Sequence, residues 1–123
     1  MRFAEADDSG GYLVQGYGPE GIHIGGRTYV RGLILTPARI IEDWGPDRVD
    51  SLDAGHLQPL IDLAPEVIVI GTGPAQVFPD PGLYFAVLER GIGCEVMDTG
   101  AACRTYNILM AEGRRVAAGL LPL

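Results

Sequence analysis

Short apolar segments alternate with turn residues through the first third of the chain, a pattern that predicts an antiparallel β-meander. The predicted strands cover residues 12–17, 22–24, 27–35 and 39–42. Gly25-Gly26 separates the second strand from the third, and a pair of glycines there favours a two-residue hairpin turn. Gly32 interrupts the third strand, where we expect a bend or a bulge.

The remaining two thirds alternate helical and strand patterns. Helices are predicted over residues 53–63, 83–91 and 101–112, and strands over 66–70, 93–97 and 114–121. Pro59 is expected in the first turn of its helix, where proline is tolerated. Residues 66–70 form a continuous apolar run, which indicates a strand covered on both faces. The order predicts an α/β fold with a mixed, partly parallel sheet and right-handed crossovers.

The length of 123 residues favours one domain, residues 1–123, without internal repeats. Residues 1–11 are expected to be poorly ordered. The N-terminal sequence has no apolar core typical of a signal peptide, so we expect a cytoplasmic protein. No apolar run approaches the ~20 residues of a membrane helix, and membrane insertion is not expected.

The chain carries a formal net charge of −7 and contains no lysine. Phosphate backbones repel such a chain, so nucleic acids are not expected as partners. Without lysine, Schiff-base chemistry and a phosphate-binding P-loop are excluded. We expect another protein as the partner, with a small anionic ligand as the alternative considered below, and homo-oligomer formation stays open.

The best candidate for a binding site is the pair of strand ends at 71–73 and 98–100. Consecutive parallel strands point the same way, so their carboxyl ends share an edge where α/β sheets bind ligands. The candidate residues are Gly71, Thr72, Gly73, Asp98, Thr99, Gly100, Arg104 and Asn107. The glycines would let backbone N–H groups approach a ligand closely.

The third helix begins beside this edge, and its free N–H groups favour an anion. Thr99 is predicted to cap the helix, and Arg104 and Asn107 share one helix face by their i, i+3 spacing. A carboxylate or phosphate held by Thr99, Gly100 and Arg104 is one interpretation. In the other, the glycines only make turns, Thr99 only caps, and Arg104 is a surface charge.

The sequence gives little support for a nucleotide-cofactor, redox, metal or serine-nucleophile site. Residues 71–75 resemble the start of a dinucleotide-binding loop, but Pro79, Pro81 and Gly82 prevent the required helix. Cys94 and Cys103 are expected too far apart for a disulfide, and Cys103 is either a core residue or a thiol with a lowered pKa. Metal-ligand spacings and a serine nucleophile are absent. We therefore assign no catalytic residue, metal or cofactor.

Several segments together resemble a known family. They are 22–26, Trp44, 67–73 and, most specifically, 93–107, with the sequence Gly-Cys-Glu-Val-Met-Asp-Thr-Gly-Ala-Ala-Cys-Arg-Thr-Tyr-Asn. The chain is similar to the Mth-type domains, a family that includes mitochondrial complex I assembly factor 3 and the adipogenesis-associated Mth domain-containing protein. The resemblance implies a three-layer fold with a mixed central sheet and extra strands on one side. It implies no established enzymatic activity or cofactor.

Two functions remain at this point. The first is a non-enzymatic interaction or assembly factor, which predicts an apolar or aromatic surface patch. The second is a binding protein or enzyme that uses residues 71–73 and 98–104 on a small anionic ligand. It predicts that Thr72, Thr99 and Arg104 converge on a pocket.

Overall fold

The computed structural model describes residues 11–123, which form eight strands and three α-helices. The strands are β1 (Gly16–Gly18), β2 (Gly21–Ile24), β3 (Arg27–Tyr29), β4 (Leu33–Leu35), β5 (Ile40–Glu42), β6 (Val67–Gly71), β7 (Gly93–Met97) and β8 (Val116–Leu120). The helices are α1 (Ala54–Asp62), α2 (Pro81–Glu89) and α3 (Thr99–Ala111), and a short 3₁₀ turn covers Val49–Ser51. Except for Gly11, the segment expected to be poorly ordered lies outside the described residues.

The strands form two sheets. β1, β2 and β3 make a small antiparallel sheet, and the central sheet has the order β5-β4-β8-β6-β7. β6 runs parallel to β7 and β8, whereas β4 runs antiparallel to β5 and β8. The predicted α/β fold with a mixed central sheet is confirmed, with β5 and β7 at its two edges.

The hairpin between β2 and β3 forms as predicted. Gly25 and Gly26 both have positive φ, at 61° and 78°. These values are those of a tight two-residue turn whose twist matches the flanking strands.

The predicted third strand, residues 27–35, is divided between the two sheets. β3 pairs with β2, whereas β4 pairs with β5 and β8. Gly32 lies at the change of sheet, where its carbonyl accepts a hydrogen bond from the Trp44 N–H (2.9 Å). A Cβ atom at Gly32 would overlap the Trp44 carbonyl oxygen. The close approach of these two backbones therefore requires glycine.

Both faces of the central sheet are covered, which gives three layers. Val67 and Val69 of β6 face the small sheet and α3, and Ile68 and Ile70 face α1 and α2. All five residues of β6 are buried. Burial on both faces explains why the sequence of this strand is a continuous apolar run.

The start of α1 differs from the prediction. Asp53 and His56 form a reciprocal capping box: the Asp53 carboxylate accepts from the His56 N–H (3.2 Å), and His56 Nδ1 accepts from the Asp53 N–H (3.0 Å). The helix therefore begins at Ala54, and Pro59 is its sixth residue. Pro59 lies beyond the first turn, where it removes the hydrogen bond that residue 59 would donate to Gly55.

Trp44 is a core residue. Its side chain is buried against the α1 side of the central sheet. The indole Nε1–H donates to the His56 carbonyl (2.8 Å). Because a buried indole needs a partner for its N–H, this bond connects the segment after β5 to α1.

Candidate functional site

The structure brings the two predicted strand ends together. β6 and β7 pair in parallel register, with Gly71 opposite Met97. Beyond the strands, the Thr72 N–H donates to the Met97 carbonyl (2.8 Å) and the Thr99 N–H donates to the Gly73 carbonyl (2.9 Å). Residues 71–73 and 98–100 therefore share one edge of the sheet, as the parallel crossover predicts.

Both threonine hydroxyls at this edge bond to the chain itself. Thr99 is fully buried; its Oγ1 accepts from the Gly73 N–H (2.8 Å) and donates to the Leu121 carbonyl (2.8 Å). Thr72 Oγ1 donates to the Ala75 carbonyl (2.6 Å) and accepts from the Val77 N–H (3.2 Å). These hydroxyls hold adjacent loops together. Thr72 also lines an open cleft, but Thr99 and Arg104 do not, so the three predicted side chains do not converge on that cleft.

The predicted cap of α3 is wrong. Asp98, not Thr99, caps the helix: its carboxylate accepts from the Ala101 N–H (2.8 Å) and its carbonyl from the Ala102 N–H (2.9 Å). An acidic cap satisfies the helix amides and stabilises the positive end of the helix dipole. The helix starts two residues before the predicted Ala101 for the same reason.

Tyr17 covers the first turn of α3. A Cβ atom at Gly100 would stand 2.7 Å from Tyr17 Cε1, so the ring lies directly on the glycine. Arg104 donates to the Tyr17 hydroxyl, and its guanidinium carbon lies 5.9 Å from the ring centroid. The chain itself therefore occupies the place where an anion would meet the helix start. Ligand binding at these residues stays a prediction that the geometry does not favour.

Asn107 has a structural role. Its Oδ1 accepts from the Val14 N–H (2.9 Å) and its Nδ2 donates to the Val14 carbonyl (2.8 Å). The hydroxyl of the preceding residue, Tyr106, donates to the Tyr12 carbonyl (2.6 Å). The amide thus bonds residue 14 as a neighbouring strand would, which is why the predicted strand over residues 12–17 shortens to β1.

The cysteines are buried free thiols. Burial raises the pKa of Cys103 to about 12 and that of Cys94 to about 11. The alternative of a lowered Cys103 pKa is wrong because desolvation outweighs the nearby Arg104 charge. Within residues 11–123, no group of histidine, cysteine and carboxylate side chains has the arrangement of a metal site.

An open cleft of about 390 Å³ lies beside the strand-end loops. Its walls come from the 3₁₀ segment, from the loop after β6 and from the C-terminal residues Pro122 and Leu123. The apolar part includes Val49, Pro74 and Val77, while Asp47 and Asp50 add negative charge. Arg48 also lines the cleft and offsets one of these two charges, so the lining keeps a net negative charge that disfavours an anion.

A surface of exposed apolar side chains continues from this cleft along α2. It consists of the exposed residues Val77, Phe78, Phe85 and Leu88 together with Tyr84, which is half-buried and packs against the core, and we call it the α2 aromatic surface. Phe78 and Phe85 are 53% and 56% exposed, and the Tyr84 ring lies 5.2 Å and 5.6 Å from their centroids. Soluble proteins rarely leave clustered apolar side chains open without a function.

The α2 aromatic surface was not predicted from the sequence, although the sequence contains a signal for this surface. Residues 83–88 are all apolar, whereas a helix that lies on a sheet needs an apolar stripe on one side only. In the structure, Val87 is the one buried residue of α2. The excess of apolar residues over what the fold can bury was the available signal.

The comparison with protein families identifies the chain. Residues 14–121 match a family described as a protein of unknown function (DUF498/DUF598). The chain belongs to the DUF498/DUF598 family. Its Mth-type fold is confirmed by a Bordetella pertussis structure described as a Mth938-like domain, which is 31% identical, covers 99% of this chain and 92% of that one, and has a TM-score of 0.82. A Bordetella parapertussis structure is 40% identical with a TM-score of 0.85, over 91% of this chain and 96% of that one.

Two curated relatives carry functional or cellular descriptions. The NADH dehydrogenase [ubiquinone] 1 alpha subcomplex assembly factor 3 of Danio rerio is 32% identical over 99% of this chain and 71% of its own length. A 13 kDa major membrane protein of Francisella tularensis subsp. holarctica (strain LVS) is 32% identical over 72% of this chain and 73% of its own. The chain spans 59 to 71% of the animal assembly factors that it matches.

Within the described part of the chain, no helix combines the length and the apolar composition required to cross a bilayer. α3, the longest helix, has 13 residues.

Proposed function

We propose that this protein is a non-enzymatic assembly factor that binds a partner protein through the α2 aromatic surface. The relatives named as assembly factors of the NADH dehydrogenase [ubiquinone] 1 alpha subcomplex make assembly of a respiratory NADH dehydrogenase the process we assign to it. The observation that carries the proposal is the cluster of exposed aromatic side chains on a family member with such relatives.

The composition of the surface supports a protein partner. Aromatic residues are enriched at binding hot spots because they bury large areas and lose few rotatable bonds. Phe78, Tyr84 and Phe85 contact each other in series, so a partner would meet an arranged group of rings. The adjoining cleft extends the surface through Val77, which lies in both.

The charges around the surface indicate which kind of partner segment would fit it. Asp47 and Asp50 lie at the cleft, and Asp80 and Glu89 lie at the two ends of α2. Arg48 and Arg90 offset only part of this charge. We therefore expect a partner segment with an apolar centre and basic flanks, because complementary charge raises association rates and selects orientation.

The strand-end edge supports the same proposal indirectly. Thr72, Thr99 and Asp98 all bond to the chain itself, so each already has a structural role. Phe78 and Phe85 have no polar group to satisfy, and each is more than half exposed. A partner can cover the α2 aromatic surface without any rearrangement of the fold.

The cellular location is part of the proposal: we place the protein in the cytoplasm. Cell fractionation tests this point. Recovery in the soluble fraction supports it, whereas recovery with membranes that resists washing in high salt would contradict it and agree with the description of the Francisella relative.

Deletion of the gene, followed by rescue with variants, tests the function. We expect the deletion to lower the amount of assembled NADH dehydrogenase on native gels and wild type to restore it. Phe78→Ser/Phe85→Ser should fail to restore assembly. The matched control Val30→Ser/Ile108→Ser changes two other exposed apolar residues, 67% and 59% exposed, and should restore assembly fully.

Expression levels and thermal melting of each variant show that a failed rescue is not a failure to fold. Normal assembly in the deletion strain, or full rescue by Phe78→Ser/Phe85→Ser, would contradict the proposal.

A further inference from the structure

A second cleft, of about 350 Å³, lies at the opposite end of the central sheet from the strand-end edge. The turn between β4 and β5, the loop between α1 and β6 and the loop between α3 and β8 form its walls. Its volume is within the range of small-molecule sites. Its accessible apolar part includes Pro37, Leu63 and Ala64, which lie over the buried Val116 and Ala117.

The charge of this cleft is opposite to that of the protein as a whole. Three of the nine arginines, Arg39, Arg114 and Arg115, line it, and none of the eleven lining residues is acidic. The whole chain has 16 acidic residues and a net charge of −7. A concentration of arginine in so acidic a protein is a local feature of this cleft.

The three arginines differ in their pairing with carboxylates. Within residues 11–123, the guanidinium groups of Arg39 and Arg115 pair with no carboxylate. Glu66 Oε1 lies 3.3 Å from Arg114 Nε and accepts from the Arg115 N–H (2.9 Å). These two contacts, the Arg115 N–H first and then the Arg114 charge, lower the Glu66 pKa. Glu66 therefore stays ionised and fixes the loop that carries two of the arginines.

We infer that this cleft is a binding site for a small organic anion, with a carboxylate or phosphate head on an apolar body. Guanidinium groups bind both heads through paired hydrogen bonds, and Arg39 and Arg115 are available for them. The apolar wall would cover the body of the ligand. The inference is independent of the proposed assembly function, because the α2 aromatic surface contributes nothing to this cleft.

NMR titration of the full chain tests the inference with defined probes. Phenyl phosphate and benzoate carry the two heads on one apolar body, and benzyl alcohol is the neutral counterpart. We expect saturable shifts of the backbone amide signals of the non-proline residues in 36–39, 63–66 and 114–117 with at least one anion, weakened by added salt. Comparison of the two anions identifies the preferred head group, and benzyl alcohol should bind at least tenfold more weakly.

Three variants sharpen the test. Arg39→Ala/Arg115→Ala should weaken binding by about tenfold for each guanidinium removed. The control Arg31→Ala/Arg48→Ala removes the same charge from exposed positions elsewhere and should leave binding within about twofold. Glu66→Gln keeps an acceptor for the Arg115 N–H but removes the competing charge, so it should tighten binding about threefold.

Three results would overturn the assignment. The first is the absence of saturable shifts with either anion at millimolar concentration. The second is equal affinity for benzyl alcohol, or unchanged affinity in Arg39→Ala/Arg115→Ala. The third is binding of an acidic peptide without binding of either small anion, which would indicate a protein partner at this cleft. Since Glu66→Gln is expected to gain affinity, misfolding cannot mimic the supporting result.

Discussion

Helices α2 and α3 pack on opposite faces of the edge strand β7. They differ in how completely the rest of the chain pairs their polar groups and covers their side chains. The first turn of α3 is complete: Asp98 caps it, Tyr17 covers it and Thr99 bonds to two loops. α2 buries one residue of nine and leaves a series of aromatic rings exposed. The α3 start has the polar motif typical of a ligand site, yet the unsatisfied surface lies on α2. The fold itself can use a polar motif completely, so such a motif does not by itself indicate a ligand site.

The largest effect on stability is expected at the start of α3, where the polar groups are paired within the chain. Thr99→Val removes a buried hydroxyl and leaves the Gly73 N–H and the Leu121 carbonyl without partners. We expect a loss of about 3 kcal/mol in the free energy of unfolding, measured by urea denaturation. Thr105→Val on the same helix removes only a contact to the Met97 sulfur and should cost less than about 1 kcal/mol. Equal losses in the two variants would contradict the structural role of Thr99.

Asn107→Ala should have the next largest effect. The variant leaves both backbone groups of Val14 without their partners, and we expect a loss of about 2 kcal/mol together with faster hydrogen exchange at the Val14 amide. Gln58→Ala is a control, because it removes an exposed amide that donates only to Asp62. Unchanged exchange at Val14 in Asn107→Ala would show that the amide does not hold this segment.

Alkaline pH tests the burial of Cys103, a core residue of α3. Burial raises the Cys103 pKa to about 12, whereas the unfolded thiol ionises near 8.5. The stabilising difference is complete below pH 8 and is lost as the pH rises from about 8.5 towards 12. We expect wild type to lose about 2 kcal/mol more than Cys103→Ala between pH 7 and pH 10, measured by urea denaturation at both values. Parallel pH profiles would show that this thiol is accessible in the folded state.

The smallest effect on stability is expected at the α2 aromatic surface. Phe78→Ser/Phe85→Ser changes side chains that are more than half exposed, and it should lower the free energy of unfolding by only about 1 kcal/mol through the lost ring contacts with Tyr84. The same variant should bind less of a dye that reports exposed apolar surface. A loss of several kcal/mol would mean that these rings stabilise the fold, and the contrast between the two helices would fail.

The elements with local causes were predictable from the sequence. The Gly25-Gly26 turn depends only on the residues in it. The apolar run of β6 and the parallel crossover to β7 place residues 71–73 beside 98–100. Local chemistry and chain direction are sufficient for both results.

The elements with distant causes were not predictable in the same way. The change of sheet at Gly32 depends on Trp44, and the roles of Asn107 and Thr99 depend on partners 93 and 22 residues away. Spacing along the chain gives no information about such contacts. The α2 aromatic surface, by contrast, was predictable from residues 83–88, because one face of a helix cannot bury them all.

Site-specific photo-crosslinking in cells tests the central claim most directly. A crosslinking amino acid replaces Phe85 on the α2 aromatic surface, Arg104 at the start of α3, or Ile108 on the exposed side of α3. We predict a crosslink from position 85 to a subunit of NADH dehydrogenase or of one of its assembly intermediates, with none from positions 104 and 108. The same crosslinked subunit from position 104 with none from position 85 would contradict the claim.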